Sequence, residues 1–182
     1  MAGALLELPA AVYRGLQAHL LPPRSKNEQA AFVFARADTS AGNKTVFRFL
    51  DWLPLEADNF AAQHEVYLEL RDEMRGTLIK RAHDLNASLV EFHSHPGPYP
   101  AQFSPSDLAG FREFVPHVWW RLRGRPYAAV VVAPSGFDAL AWLTSPQEPV
   151  ALNAIMVDGK RLTPTGNTLR KTEKGHLFNG TF

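Results

Sequence analysis

The chain has 182 residues, 46% of them hydrophobic and 20% charged, with a formal net charge of +1 and no cysteine. That length suits one domain, able to bury roughly 70% of its unfolded surface without disulfide or structural metal. The near-neutral balance argues against a broad basic field for nucleic acid, and the absence of cysteine excludes a thiolate ligand or thiol nucleophile and fits a reducing compartment. No run approaches the apolar length that spans a bilayer. The first seven residues lack the basic start of a signal peptide, so the expected location is cytoplasmic.

Residues 8–21 carry Leu8, Val12, Leu16, His19 and Leu20 at helical spacing, and Pro22-Pro23 ends that helix. Phe32 and Phe34 belong to a first strand, residues 38–43 to a turn, and residues 44–55 to a second strand that completes a hairpin. From 63 to 86 the pattern becomes helical, with Val66, Leu70, Met74, Leu78 and Leu85 along one face and mostly charged residues on the other. Residues 88–92 read as a short strand. A helix follows from Ser104 to Phe114 or Val115, where Pro116 should stop it. Residues 127–133 are nearly all apolar, as in a strand buried on both faces. Further strands are expected at 137–143 and 151–157. Strands and helices mix without βαβ alternation, which predicts an α+β domain over 1–157. Residues 158–182 are more polar and read as an arm, a lid or a linker.

The chemistry concentrates in His93-Ser94-His95-Pro96 and Ser104-Pro105-Ser106-Asp107. Two histidines one residue apart on an extended backbone point to the same side and can share a metal ion. Asp107 adds a carboxylate as third ligand. Three protein ligands with one open position describe a catalytic zinc, whose chemistry is metal-activated water. Ser104 reads equally as a helix N-cap, with Pro105 at the first helical position and Asp107 facing the helix dipole. Glu91 is in step with the two histidines. It is either an orienting partner for them or, more plainly, a surface or paired carboxylate. Trp119 and Trp120, beside Arg121, Arg123 and Arg125, read as core packing with a solvated basic edge rather than a nucleic-acid surface. His64, His83 and His117 read as surface or cap residues.

His93-x-His95-Pro96, seven residues, then Ser104-x-x-Asp107 resembles the signature of the JAMM (JAB/MPN) zinc metalloproteases, in the prokaryotic deubiquitinase-like branch. The usual loop there has six residues; the surplus falls in Gly97-Pro98-Tyr99-Pro100, a turn-rich stretch that absorbs an insertion cheaply. The resemblance implies an upstream glutamate as general base, and Glu28, leading into the apolar run Ala30-Ala31-Phe32-Val33-Phe34, fits that place. It implies that Ser104 stabilises an oxyanion and that His93, His95 and Asp107 hold Zn2+. It implies a curved mixed β-sheet flanked by helices, with the zinc site at the sheet edge. The implied reaction is cleavage of the amide bond after the C-terminal tail of a ubiquitin-like protein, from a precursor or a conjugated lysine. The implied partners are that protein, its conjugates and E1/E2-like conjugation proteins, with neither nucleic acid nor membrane. The alternatives are a noncatalytic scaffold of the same type and a small-molecule amidase using the same site. An open groove favours a protein tail and a closed cavity a metabolite.

Overall fold

A strand that the sequence pattern did not announce decides the architecture. In the computed structural model, which describes residues 3–40, 42 and 44–173, β1 (Gly3–Leu8) buries Ala4, Leu6 and Leu8 on one side. It pairs in parallel with both β3 (Lys44–Pro54) and β9 (Val150–Val157). With β2 (Ala30–Thr39), β6 (Ser88–Ser94), β7 (Tyr127–Ala133) and β8 (Gly136–Trp142), the order runs β1-β3-β2-β6-β7-β8-β9 and returns to β1. The expectation of an α+β domain built on a curved, helix-flanked sheet is therefore corrected: the sheet closes into a seven-stranded mixed barrel. Closure satisfies the backbone groups that an open edge would expose.

One apolar cluster draws on all seven strands, including Leu6, Val33, Phe47, Val90, Val130, Ala139 and Ile155, and so fills the barrel interior. Helix α1 (Ala10–Leu20) adds Leu16 and Leu20 to it, each fully buried and worth roughly 1.5–3 kcal/mol. A second cluster lies outside β2, β6, β7 and β8, where α2 (Asp72–Asp84) contributes Leu78 and Ala82 and α3 (Pro105–Arg121) contributes Phe111, Val115 and Val118. β7 is buried along its whole length because it lies between the two clusters.

Two element boundaries also differ from the sequence expectation. Helix α3 continues through Pro116 to Arg121. A proline inside a helix costs about 3 kcal/mol, which burial of Val115, Val118 and Leu122 on both sides of it offsets. Between 60 and 70 the chain is not helical. Strands β4 (Phe60–Gln63) and β5 (Leu68–Leu70) form a separate antiparallel hairpin, closed by the His64 amide donating to the Tyr67 carbonyl at 2.8 Å. Val66 stands 80% exposed at its tip, so the apolar spacing there was no helix face.

Beyond Asp158, β10 (Lys160–Leu162) pairs with β9, and α4 (Asn167–Glu173) follows with Thr168 buried. The described part of the expected arm is thus docked on the barrel, and residues 174–182 lie outside the described residues. Among the described residues, no helix is long and apolar enough to cross a membrane.

Candidate metal centre

The two histidines stand at the end of β6, which is paired on both sides at His93. His93 lies opposite Ala30 of β2 and Val131 of β7, so the site is not at a sheet edge as expected. The His95 amide donates to Val132 O at 2.8 Å, the Ser94 amide to Gln29 O at 3.0 Å, and the Gln29 amide to Ser94 Oγ at 2.9 Å. These bonds fix the backbone on either side of His93. The alternation of β6 then turns Glu91 and His93 outward, beneath the first turn of α3.

Asp107 reaches the pair from that turn. Its Oδ2 lies 3.5 Å from His93 Nε2 and 3.3 Å from His95 Nε2, and the two imidazole rings are 5.1 Å apart. His93 Nε2 is buried and, among the described residues, has no hydrogen-bond partner. Leaving a buried polar atom without a hydrogen bond costs about 1–3 kcal/mol, a cost that a ligand at Nε2 would remove. His93, His95 and Asp107 offer ligand atoms that all lie within 4.8 Å of one another and form a group able to hold a metal ion. The donor set, two imidazoles and one carboxylate, fits a transition metal rather than calcium or magnesium.

Charge binds the group together. Burial disfavours a protonated His93, but the charge of Asp107 and, behind it, Glu91 outweigh that and raise its pKa from 6.5 to about 10. Burial alone would raise the Asp107 pKa, but His93, His95 and the Ser104 amide pull it well below the carboxylate range.

Behind His93 stands a relay that sequence reasoning only half found. His93 Nδ1 faces Glu91 Oε1 at 3.4 Å, and Glu91 Oε2 accepts from the Tyr127 hydroxyl at 2.7 Å. Of the two readings of Glu91, the structure favours the orienting one: a proton on Nδ1 leaves Nε2 open for a metal. Tyr127 was missed because its place beside Glu91 follows from the β6–β7 register, not from local spacing. Its phenol is raised well above its usual pKa by burial and then by Glu91, so it stays a donor. Tyr127→Phe is expected to weaken the binding of a metal ion at this group about 10-fold, read by competition with a chromophoric chelator; unchanged affinity sinks the relay.

Glu28 is buried just before β2, with Oε1 3.5 Å from His95 Nε2. Its amide donates to His64 O at 2.9 Å and its carbonyl accepts from Gln63 Nε2 at 2.8 Å, so the β4–β5 hairpin holds it. Its pKa is raised, chiefly by burial, while His93 and His95 act to lower it and Asp107 to raise it. A carboxyl moved towards neutrality suits proton transfer.

Ser104 caps α3 as its sequence suggests. Its Oγ accepts from the Asp107 amide at 3.1 Å, and its own amide donates to Asp107 Oδ2 at 2.7 Å. The cap thereby aims Asp107 at the histidines. Oγ also lies 2.9 Å from Ser106 Oγ.

Two depressions flank the group. A cleft of about 560 Å³ is lined by Glu28, His95, Tyr99 and Ser104 on one side and by Glu65 and Val66 of the hairpin tip on the other. A smaller one of about 110 Å³, between β5 and α3, is lined by Phe32, Leu70, Glu91, His93 and Asp107. The tryptophan pair divides: Trp119 packs against the outer cluster, whereas Trp120 is 72% exposed under the Arg121 guanidinium. No known family model and no curated protein matches this chain.

Proposed function

We propose that this protein is a zinc-dependent peptidase that cleaves the amide bond after the C-terminal tail of a ubiquitin-like protein, as a precursor or from a conjugated lysine. The observation that carries the reading is the buried, unpartnered Nε2 of His93, converging with His95 and Asp107 beside the buried carboxyl of Glu28. Two imidazoles with a carboxylate are a donor set suited to zinc. A bound zinc supplies Lewis acidity, polarising a carbonyl and bringing the pKa of water to about 7.

The chain's own groups do the rest. Glu28 takes a proton from water in the cleft and returns it to the departing amine. Ser104 accepts from the Asp107 amide through Oγ, and with Ser106 Oγ donating to it as well, its own hydroxyl proton is left to donate to the developing oxyanion. The cleft is open, passing between the hairpin tip and the 96–100 loop, and suits an extended chain better than an enclosed metabolite. The substrate class rests on the resemblance of the His-x-His-Pro and Ser-x-x-Asp motifs. It makes a ubiquitin-like protein, its conjugates and E1/E2-like conjugation proteins the partners.

The test is a panel of ubiquitin-like C-terminal fusions incubated with zinc or with chelator and read by intact mass. Zinc-dependent scission directly after the tail is the expected result. Intact fusions in a sample carrying one zinc per chain overturn the peptidase reading. Ser104→Ala separates its two duties. Loss of an oxyanion donor lowers kcat by about 10²–10³, whereas loss of a cap lowers stability by about 1 kcal/mol. A variant with near-normal turnover and a lowered Tm leaves Ser104 a cap alone.

A further inference from the structure

The loop that delivers Ser104 and Asp107 is held from the far end of the described chain. Thr168 Oγ1 accepts from the Phe103 amide at 3.0 Å and donates to Asp138 Oδ2 at 2.7 Å. Asp138, only 1% exposed on β8, also accepts from the amides of Thr168 at 2.8 Å, Gly166 at 3.0 Å and Ala139 at 3.0 Å. A carboxylate withdrawn from water is tolerated only when its lone pairs are occupied, and four donors occupy these. Two residues earlier in the loop, Ala101 O accepts from Thr165 Oγ1 at 2.8 Å and Asn167 Nδ2 at 3.2 Å. The 165–168 segment therefore grips the loop at 101 and at 103.

Phe103 carries that grip into the metal group by two routes. Its ring stands 5.6 Å from the His93 ring and 5.3 Å from Phe111 on α3. Its backbone runs directly into Ser104, whose amide aims Asp107. A displacement of the Phe103 amide thus moves the wall against one ligand and the cap that orients another.

We infer that Thr168, locked by Asp138, is a positioning residue for the metal group, setting through Phe103 where His93 and Asp107 stand. The inference rests on the metal reading above, but it concerns the 165–168 segment, which grips the loop at Ala101 and Phe103. Thr168→Val keeps the shape and loses the hydroxyl; Thr168→Ser keeps the hydroxyl. The readouts are the visible absorption spectrum of the Co2+-loaded full chain and the zinc Kd by chelator competition.

Thr168→Val is expected to alter the cobalt spectrum and raise the zinc Kd about 10-fold, the size seen for groups that orient ligands. Thr168→Ser is expected to restore both. A folded Thr168→Val protein with the unsubstituted spectrum and Kd overturns the inference, as does a Thr168→Ser protein as impaired as Thr168→Val. Coupling is reciprocal, so zinc loading of the unsubstituted protein must slow hydrogen exchange at the Phe103 amide. Unchanged exchange there overturns the inference even if Thr168→Val does not fold. Failure of the unsubstituted chain to take up either metal sinks the metal reading itself, and the inference falls with it.

Discussion

Glu28→Gln is expected to lower turnover by about 10²–10⁴-fold while zinc content stays near one ion per chain. The substitution keeps the side chain's size and both backbone bonds to the hairpin, because those use the Glu28 amide and carbonyl. What it removes is a buried carboxyl 3.5 Å from His95 Nε2. Stability gives an independent check. A carboxyl whose folded pKa is raised binds its proton more tightly in the folded chain, so its ionisation opposes folding as pH rises through the unfolded value of 4.5. At neutral pH, Glu28→Gln removes that opposition, and the metal-free Tm should hold or rise. The acid limb of the pH–rate profile should lie above the ordinary glutamate range in the unsubstituted protein. A Glu28→Gln enzyme that keeps a tenth of its turnover removes Glu28 from the mechanism.

Asp107→Asn should raise the zinc Kd by more than about 100-fold, since even the groups that orient ligands are worth about 10–100-fold. In the metal-free protein its effect depends on pH. His93, raised from 6.5 to about 10, contributes stability that is fully present below 6.5 and is lost as pH rises through its folded value. Asp107, lowered from 3.8, contributes stability present above 3.8 and lost only in strong acid. Between 3.8 and 6.5 both charges are in place. Asp107→Asn is therefore most destabilising there and progressively less so as pH rises through about 10, above which His93 is neutral in either protein. Melting curves across that window measure the difference, and a penalty independent of pH removes the charge pairing. The same pairing requires zinc to displace the His93 proton at neutral pH. Calorimetry in two buffers of different ionisation heat must report proton release; heats that do not depend on buffer contradict a protonated His93.

The convergence of His93, His95 and Asp107 was legible because its signals are local. His93 lies near the end of β6 and His95 just past it, two residues on, and Asp107 belongs to a helix start that Ser104-Pro105 marks in the sequence. The β2–β3 hairpin, β6, β7, β8 and β9 were legible from apolar runs and turns. The barrel was not, because β1 feeds into α1 through Pro9, so its short alternation borders helical spacing. The β4–β5 hairpin was hidden by Val66 and Leu70, whose spacing imitates a helix while Val66 faces solvent. Tyr127 and Thr168 were invisible for a different reason. Each acts across a register or a docked segment, and spacing within a window carries no information about such pairs.

The way the barrel closes has a bearing on how the chain is made. Ala4 donates to Asn153 Oδ1 across 149 residues, and β1 takes its second neighbour from β9. Contacts of such separation must meet a large loop-closure entropy before they return any stability. β1 therefore leaves the ribosome well before its second neighbour exists. Until β9 emerges, β1 and the strand it first joins present an unfinished edge, which places an interval of exposure to misassembly between the making of β3 and that of β9.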